Sequence, residues 1–82
     1  MELREMTRTM VADLLSNKGD RSPFEDADSL IVSGRLQSLD AVSIALFLER
    51  EYGIDFSRVG FDQTQIDSVD AIVGLIERER HA

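Results

Sequence analysis

The feature that most constrains the fold of this chain is a helical segment in its middle, LQSLDAVSIALFLEREYG, which runs from Leu36 to Gly53. From Leu39 to Tyr52 it contains no glycine or proline, and it is rich in strong helix formers such as alanine, leucine, glutamate and arginine. Gly53 suits the left-handed residue that often follows a helix end. The sequence therefore predicts a long helix that ends at Tyr52 and has Ser38 at its start.

This helix carries two apolar stripes. At about 100° per residue, the first stripe consists of Ala41, Ile44, Ala45, Leu48 and Tyr52. The second stripe, which points away from the middle of the first, consists of Leu39, Val42 and Leu46. Because a surface helix of a small domain usually has one stripe, two stripes predict either burial nearly all round or one face for the core and one for a partner.

Composition limits both the architecture and the partners. The 82 residues predict one small domain, 1–82, and the net charge of −7 makes nucleic acid a poor partner and basic protein surfaces good ones. There is no cysteine, so we expect neither disulfides nor thiol chemistry. No apolar run reaches membrane-spanning length, and the amphipathic start is unlike a signal peptide. We therefore expect a cytoplasmic protein without membrane insertion.

The segment before Leu36 divides into a helix and a loop. Apolar residues at helical spacing predict a first amphipathic helix at about 2–17, in which we interpret the methionines as core residues. Residues 19–37 lack sustained periodicity and hold the only proline, so they predict a long loop. Asp28 or Ser29 would cap one short turn in it. The expected apolar anchors of this loop are Phe24, Leu30, Ile31 and Val32.

After Gly53, the residues Ile54-Asp55-Phe56 predict an extended connection, and the loosely spaced Val59, Phe61 and Ile66 predict a short third helix near 60–66. Asp67 or Ser68 would then cap a fourth helix. Its first turn contains Asp70, and its apolar stripe consists of Val69, Ile72, Val73 and Ile76. Its negative end carries Arg78, Arg80 and His81.

Gly74 lies in the middle of this fourth helix, where glycine costs about 1 kcal/mol relative to alanine. It either permits the close approach of another helix or bound chain, or is simply tolerated.

The sequence offers no catalytic or metal site. The single histidine is His81, and no serine lies in a Gly-x-Ser-x-Gly elbow, so nothing activates a serine as an enzyme's nucleophile. The acids Asp62, Asp67 and Asp70 lack the spacing of a calcium loop. One histidine without cysteine leaves no zinc site.

Ser38 itself has two interpretations. It is either the N-cap of the long helix, as serines often are, or a site where a transferase attaches a phosphate-linked group. The start of a helix suits a phosphodiester, because free backbone N–H groups and the helix dipole both favour negative charge there.

The residues around Ser38 resemble the acyl/peptidyl carrier protein family. The family pattern is roughly Gly-x-Leu-Asp-Ser-Leu, followed by a helix that ends in Glu-Glu-x-(Phe/Tyr)-Gly-Ile. In this chain the corresponding residues read Gly34-Arg35-Leu36-Gln37-Ser38-Leu39-Asp40 and Glu49-Arg50-Glu51-Tyr52-Gly53-Ile54. The resemblance covers most of the chain, from its first helix to its last.

The resemblance implies an all-α fold, a small four-helix bundle of the acyl-carrier type with three main helices, a short third helix and a long first loop. It implies that a phosphopantetheinyl transferase attaches 4′-phosphopantetheine, taken from coenzyme A, to Ser38. The arm would carry acyl or aminoacyl groups as thioesters to the acyl-activating and acyl-transferring enzymes of fatty acid, polyketide or nonribosomal peptide biosynthesis. The protein would be a monomer and no enzyme.

Two other serines compete with Ser38. Asp28-Ser29-Leu30 matches the family's Asp-Ser-Leu more closely, but a short turn and Gly34 follow it where the family has a long helix. Asp67-Ser68-Val69 does open a helix, but too little chain follows to supply the rest of such a domain. The position of each serine in the chain therefore favours Ser38 as the attachment site.

The resemblance also implies which residues contact partner enzymes. They lie on the outward face of the second helix and are Leu39, Asp40, Val42, Ser43, Leu46, Glu49 and Arg50. The chain departs from the family where Gln37 replaces an aspartate and where Ser43 and Arg50 replace acids. The last two changes make this face less acidic, which indicates either a dedicated carrier with its own partners or drift.

Two alternative functions remain at the level of sequence. The first is an unmodified carrier-like helical domain that acts only as a protein-interaction module, with Gln37 as the mark of lost modification. The second is a small acidic helical regulator unrelated to carriers.

Overall fold

All regular structure in the part of the chain that the structure describes, residues 2–60 and 62–80 of a computed structural model, is helical. The elements are α1 (Leu3–Asn17), α2 (Ser38–Tyr52), α3 (Phe56–Val59), a 3₁₀ helix (Gln63–Ile66) and α4 (Val69–Arg80). The prediction of an all-α fold with three main helices and a long first loop is confirmed. His81 and Phe61, which were assigned to a helix end and to the third helix, lie outside the described residues.

The hydrophobic core is built from one face of each main helix and from the loop between α1 and α2. Ala41, Ile44 and Leu48 of α2 are fully buried. They share the core with the following residues of α1, the loops and α4: Val11, Leu15, Leu30, Ile31, Leu36, Ile54, Ile66, Val69, Ile72, Val73, Leu75 and Ile76. Burial of this apolar surface is the main favourable contribution to the stability of the fold.

Helix α2 has one buried and one exposed apolar face. The residues of the second stripe are exposed to solvent, with exposed fractions of 82% for Leu39, 49% for Val42 and 55% for Leu46. We call these three residues the outward face of α2. Gly53 ends the helix at φ 67°, as predicted, with its N–H bonded to the Glu49 carbonyl. Of the two alternatives for the stripes, burial nearly all round is therefore wrong.

The long loop is anchored by fewer apolar residues than expected. Leu30 and Ile31 are buried and Phe24 packs partly against the core, but Val32 is 72% exposed. The prediction that Val32 is an anchor is wrong. In this tight turn the N–H groups of Ile31 and Val32 both donate to one carboxylate oxygen of Asp67, at 2.7 and 2.9 Å, and only the side chains of Leu30 and Ile31 turn inward.

Asp67 holds the loop, and Ser68 caps α4. The Ser68 hydroxyl accepts a hydrogen bond from the Ala71 N–H at 3.0 Å. Burial raises the pKa of the Asp67 carboxyl, but hydrogen bonds from Ser29 and from the loop N–H groups outweigh burial and leave the pKa below its usual range. The Asp67 carboxylate thus joins the start of α4 to a loop that lies more than thirty residues earlier in the chain.

Replacement of Asp67 by alanine is expected to destabilise the protein by about 2–3 kcal/mol at pH 7, because two N–H groups lose a charged acceptor. Since folding lowers the pKa of this carboxyl, its contribution is complete above the unfolded-state pKa of about 4 and is lost as the pH falls through the folded-state value. The difference in free energy of unfolding between Asp67→Ala and wild type should therefore become smaller in acid. Urea denaturation at pH 7 and at about pH 3 measures it.

The matched control is Asp70→Ala. Asp70 lies three residues away, and its side chain is 51% exposed in an ion pair with Arg4, so a much smaller loss is expected. The contrary result is a difference in free energy of unfolding between Asp67→Ala and wild type that is the same at pH 7 and at pH 3. That result would contradict a role for the charged carboxylate.

The short helices differ from the prediction. The segment expected to be extended already begins α3 at Phe56, and the helix predicted near 60–66 is a 3₁₀ helix from Gln63 to Ile66. Aspartate caps explain both starts. The Asp55 carboxylate accepts from the Ser57 N–H, and the Asp62 carboxylate accepts from the Thr64 N–H. These polar caps, rather than apolar spacing, set where each short helix begins.

Gly74 lies in α4, and no other helix of the described residues comes within 4 Å of the place where a Cβ would lie. A Cβ at this position would meet only the Arg78 guanidinium, at an ordinary contact distance of 3.7 Å. Close approach of another described helix is therefore wrong as the explanation of this glycine, which leaves the approach of a bound chain or simple tolerance.

Gly74→Ala is expected to stabilise the protein by about 1 kcal/mol, because alanine has the higher helix propensity. For a domain of this size the midpoint of thermal unfolding should rise by roughly 4–8 °C. The control is Gly53→Ala, which places a Cβ at a positive φ and should destabilise. A lower midpoint for Gly74→Ala would mean that something approaches α4 closely at this position.

Candidate functional site

The candidate site is the start of α2. Gln37 occupies the N-cap position with extended backbone, its N–H donates to the Asp40 carboxylate at 2.8 Å, and its carbonyl accepts from the Ala41 N–H. Ser38 is therefore the first residue inside the helix, and the interpretation of Ser38 as an N-cap is wrong. Its side chain is exposed, and no described residue makes a hydrogen bond with its hydroxyl.

The three candidate serines differ in what their hydroxyls do. Ser29 lies in the loop and hydrogen-bonds to the Asp67 carboxylate. Ser68 accepts a hydrogen bond from the Ala71 N–H as a helix cap. Ser38 alone of the three has an exposed hydroxyl without an intramolecular partner among the described residues, so attack on an external group would break no hydrogen bond of the fold.

An ion pair between the end of α1 and the first turn of α2 lies near Ser38. The Lys18 ammonium, just past the end of α1, lies 2.8 Å from the Asp40 carboxylate in the first turn of α2. Burial raises the pKa of the Asp40 carboxyl. Hydrogen bonds from the Gln37 N–H and from Lys18 lower the pKa by a larger amount, so it lies below its usual range. The carboxylate is held ionised where it offsets the positive end of the helix dipole.

The segment that leads to Ser38 is held by Arg35. Its guanidinium donates two hydrogen bonds to the Asp20 carboxylate, at 3.1 and 3.2 Å, and others to the carbonyls of Ser22 and Pro23. The Arg35 pair lowers the pKa of Asp20 below its usual range. Sequence reasoning missed this contact, because nothing in the spacing of the two residues indicates that they meet.

A second set of charged residues fixes the loop against α1 and α4. Arg4 and Arg8, one turn apart on α1, both bind the Asp26 carboxylate, and Arg4 also binds Asp70 at 2.6 Å. The Arg8 guanidinium stacks over the Phe24 ring, 4.6 Å from its centroid. The only sequence indication of this cluster is the spacing of two arginines on one helix face.

The residues predicted to contact partners fall into two groups. The outward face of α2 and the side chains of Glu49 and Arg50 are exposed. The Asp40 side chain is only 18% exposed and its carboxylate already has two partners, so it contributes little free acid to the surface. The Ser43 hydroxyl donates to the Leu39 carbonyl at 3.2 Å, within the helix.

No metal site is assembled from the described residues, which contain no cluster of three or more suitable acidic or histidine side chains. The three acids whose spacing does not fit a calcium loop have other partners. Asp62 caps the 3₁₀ helix, Asp67 holds the loop, and Asp70 pairs with Arg4.

Comparison of this chain with protein-family models, with curated proteins and with solved structures found no match. None of the helices in the described ranges is both long and apolar enough to cross a membrane. The function is therefore inferred from the residues of the site.

Proposed function

We propose that this protein is a carrier of the acyl-carrier type, which holds acyl or aminoacyl groups as thioesters on a 4′-phosphopantetheine arm at Ser38. The observation that carries the proposal is the Ser38 hydroxyl itself. It is exposed, has no hydrogen-bond partner among the described residues, and opens a 15-residue helix. The same helix has an apolar face left in solvent, where separate enzymes would dock.

The chemistry of attachment needs a partner enzyme. No side chain in the described residues hydrogen-bonds to the Ser38 hydroxyl to act as a base, so a phosphopantetheinyl transferase must supply one. The serine hydroxyl gives its proton to that base, and its oxygen bonds to the phosphorus that carries the pantetheine arm. The P–O bond between this phosphorus and the second phosphate of coenzyme A breaks, and adenosine 3′,5′-bisphosphate leaves. The product phosphodiester lies at the N-terminus of α2, where unpaired N–H groups and the helix dipole stabilise negative charge.

Partner enzymes would recognise both charge and apolar surface. The net charge of −7 attracts a basic surface over long range. At close range the outward face of α2 supplies three exposed apolar side chains, between 49% and 82% exposed. Exposed ion pairs contribute only about 0–1 kcal/mol each, so the apolar contacts should dominate specificity.

The test is mass spectrometry of the purified protein after incubation with coenzyme A and phosphopantetheinyl transferases of both broad and narrow specificity. The expected result is the gain of one phosphopantetheine group, located by peptide mapping in the peptide that contains Ser38. No gain with any of the transferases would contradict the proposal.

A second candidate function is an unmodified carrier-like interaction module. Gln37 favours it, because the carboxylate that the family places before its serine is absent here. The outward face of α2 would then bind a partner without any arm. Absence of modification, together with loss of partner binding in Leu46→Ala, would support this second function over the first.

A further inference from the structure

The charge of this protein is distributed unevenly around the start of α2. The chain as a whole carries −7, but the acid in the first turn of α2, Asp40, is paired with Lys18, the only lysine in the sequence. The segment before the helix carries a second ion pair, between Arg35 and Asp20. Because each pair is neutral as a unit, the two pairs contribute no net negative charge to the surface around Ser38.

Two helix ends bring Lys18 and Asp40 together. Lys18 is the C-cap of α1, where the negative end of the helix dipole favours a cation, and Asp40 lies at the positive end of α2, where an anion is favoured. The same oxygen of Asp40, Oδ2, accepts hydrogen bonds from the Lys18 ammonium and from the Gln37 N–H, each at 2.8 Å. The ammonium is therefore held close to the backbone directly before Ser38.

A partner that places a cation over the first turn of α2 would meet this ammonium. The side chain of Lys18 is 31% exposed and that of Asp40 only 18%, so the cation is the more accessible member of the pair. An approaching arginine or lysine side chain has to displace Lys18 before it reaches the carboxylate. An apolar side chain does not, and the adjacent residue on the outward face of α2, Leu39, is almost fully exposed to it.

We propose that Lys18 is a specificity-determining residue, which occupies Asp40 and so excludes cationic partner groups from the start of α2. The outward face of α2 then fits partner surfaces that are apolar and uncharged at this point. The inference rests on the proposed function only in taking these partners to be enzymes. Net charge and local charge thus have separate roles. The charge of −7 attracts basic proteins over long range, whereas Lys18 determines which of them fit at contact.

The test measures the electrostatic potential at residue 38 and requires no transferase. The chain contains no cysteine, so Ser38→Cys introduces a single thiol at an exposed helix start. The rate of its reaction is measured with a methanethiosulfonate reagent that carries a trimethylammonium group and with the uncharged tert-butyl analogue of the same size. The ratio of the cationic rate to the neutral rate reports the local potential, because steric access and thiol reactivity affect both reagents alike.

Lys18→Met keeps an unbranched side chain and removes its charge. In the Ser38→Cys background it should raise the ratio of cationic to neutral rate by about two- to threefold at low ionic strength, as expected for one unit charge at about 8 Å in water. The increase should disappear at high salt. Asp40→Asn removes the opposite charge and should lower the ratio, and Lys18→Arg, which keeps the charge, should leave the ratio unchanged.

The matched control is Arg78→Met. Arg78 is exposed in the last turn of α4, at the end opposite to the one that Asp67 joins to the loop, and its loss changes the net charge by the same amount. The ratio should stay unchanged in this variant. An equal increase in Lys18→Met and Arg78→Met would mean that only net charge matters and would overturn the proposal. No increase in a folded Lys18→Met protein, as judged by circular dichroism, would overturn it too.

Transferase kinetics extend the test to partner enzymes. For transferases whose contact surfaces carry arginine or lysine, Lys18→Met should lower the KM for the carrier by up to about fivefold, the range of an exposed ion pair, and leave kcat unchanged. Arg78→Met should not distinguish these transferases from those with apolar contact surfaces. A change in kcat alone would contradict selection at the binding step. Failure of every transferase to modify the wild-type protein would remove the proposed function, whereas the reagent rates decide the role of Lys18 by themselves.

Discussion

Replacement of Ser38 by alanine is expected to abolish attachment of phosphopantetheine completely, whereas Ser29→Ala and Ser68→Ala should retain it. The oxygen that forms the phosphodiester is absent from the first variant. The other two serines use their hydroxyls in contacts with Asp67 and with the Ala71 N–H. Intact-mass spectrometry after reaction with coenzyme A and a competent transferase measures the outcome.

Stability measurements on the same variants separate a lost attachment site from a damaged fold. Because no described residue bonds to the Ser38 hydroxyl, Ser38→Ala should leave the free energy of unfolding nearly unchanged. Ser68→Ala removes a helix cap and should cost about 1 kcal/mol. The variant that loses modification should therefore be the more stable of the two. Modification that persists in Ser38→Ala would show that the arm is attached to another residue.

The second large effect is a contrast between two leucines on opposite faces of α2. Leu48 is fully buried, and Leu48→Ala should lower the free energy of unfolding by about 2–5 kcal/mol, through lost apolar burial and the cavity left behind. Leu46 is 55% exposed, so Leu46→Ala should cost no more than about 0.5 kcal/mol. Its effect should instead be weaker binding to partner enzymes. Urea denaturation gives both free energies, provided that the dependence on urea concentration is unchanged.

Ile44→Ala and Val42→Ala repeat this contrast at an independent pair of positions, since Ile44 is fully buried and Val42 is 49% exposed. Equal losses of stability at all four positions would mean that α2 is covered on both sides. No apolar docking face would then remain, and the proposed recognition by partner enzymes would lose its basis.

The main helices could be predicted from the sequence because their determinants are local. The spacing of apolar residues in α1, α2 and α4 recurs over successive turns, and Gly53 marks a helix end through its own backbone preference. The short helices were misplaced because aspartate caps at Asp55 and Asp62, rather than an apolar repeat, determine where they start.

The polar contacts that hold the loop could not be predicted. Asp67 binds N–H groups more than thirty residues earlier in the chain, and Arg35 binds Asp20 across the loop. Each contact depends on where two distant segments meet after the core has formed. Aspartates and arginines also occur on solvated surfaces, so residue type alone does not reveal which of them are paired.

The sequence by itself determined the three main helices, the place of Ser38 at a helix start and the two apolar stripes of α2. Helical periodicity is a property of neighbouring residues, so it can be read without knowledge of the rest of the fold. Only the tertiary structure decided that the Ser38 hydroxyl has no described partner, that the second stripe faces solvent and that Lys18 pairs with Asp40. The physical reason is that exposure of a face depends on whether another element covers it, and that depends on how distant segments pack.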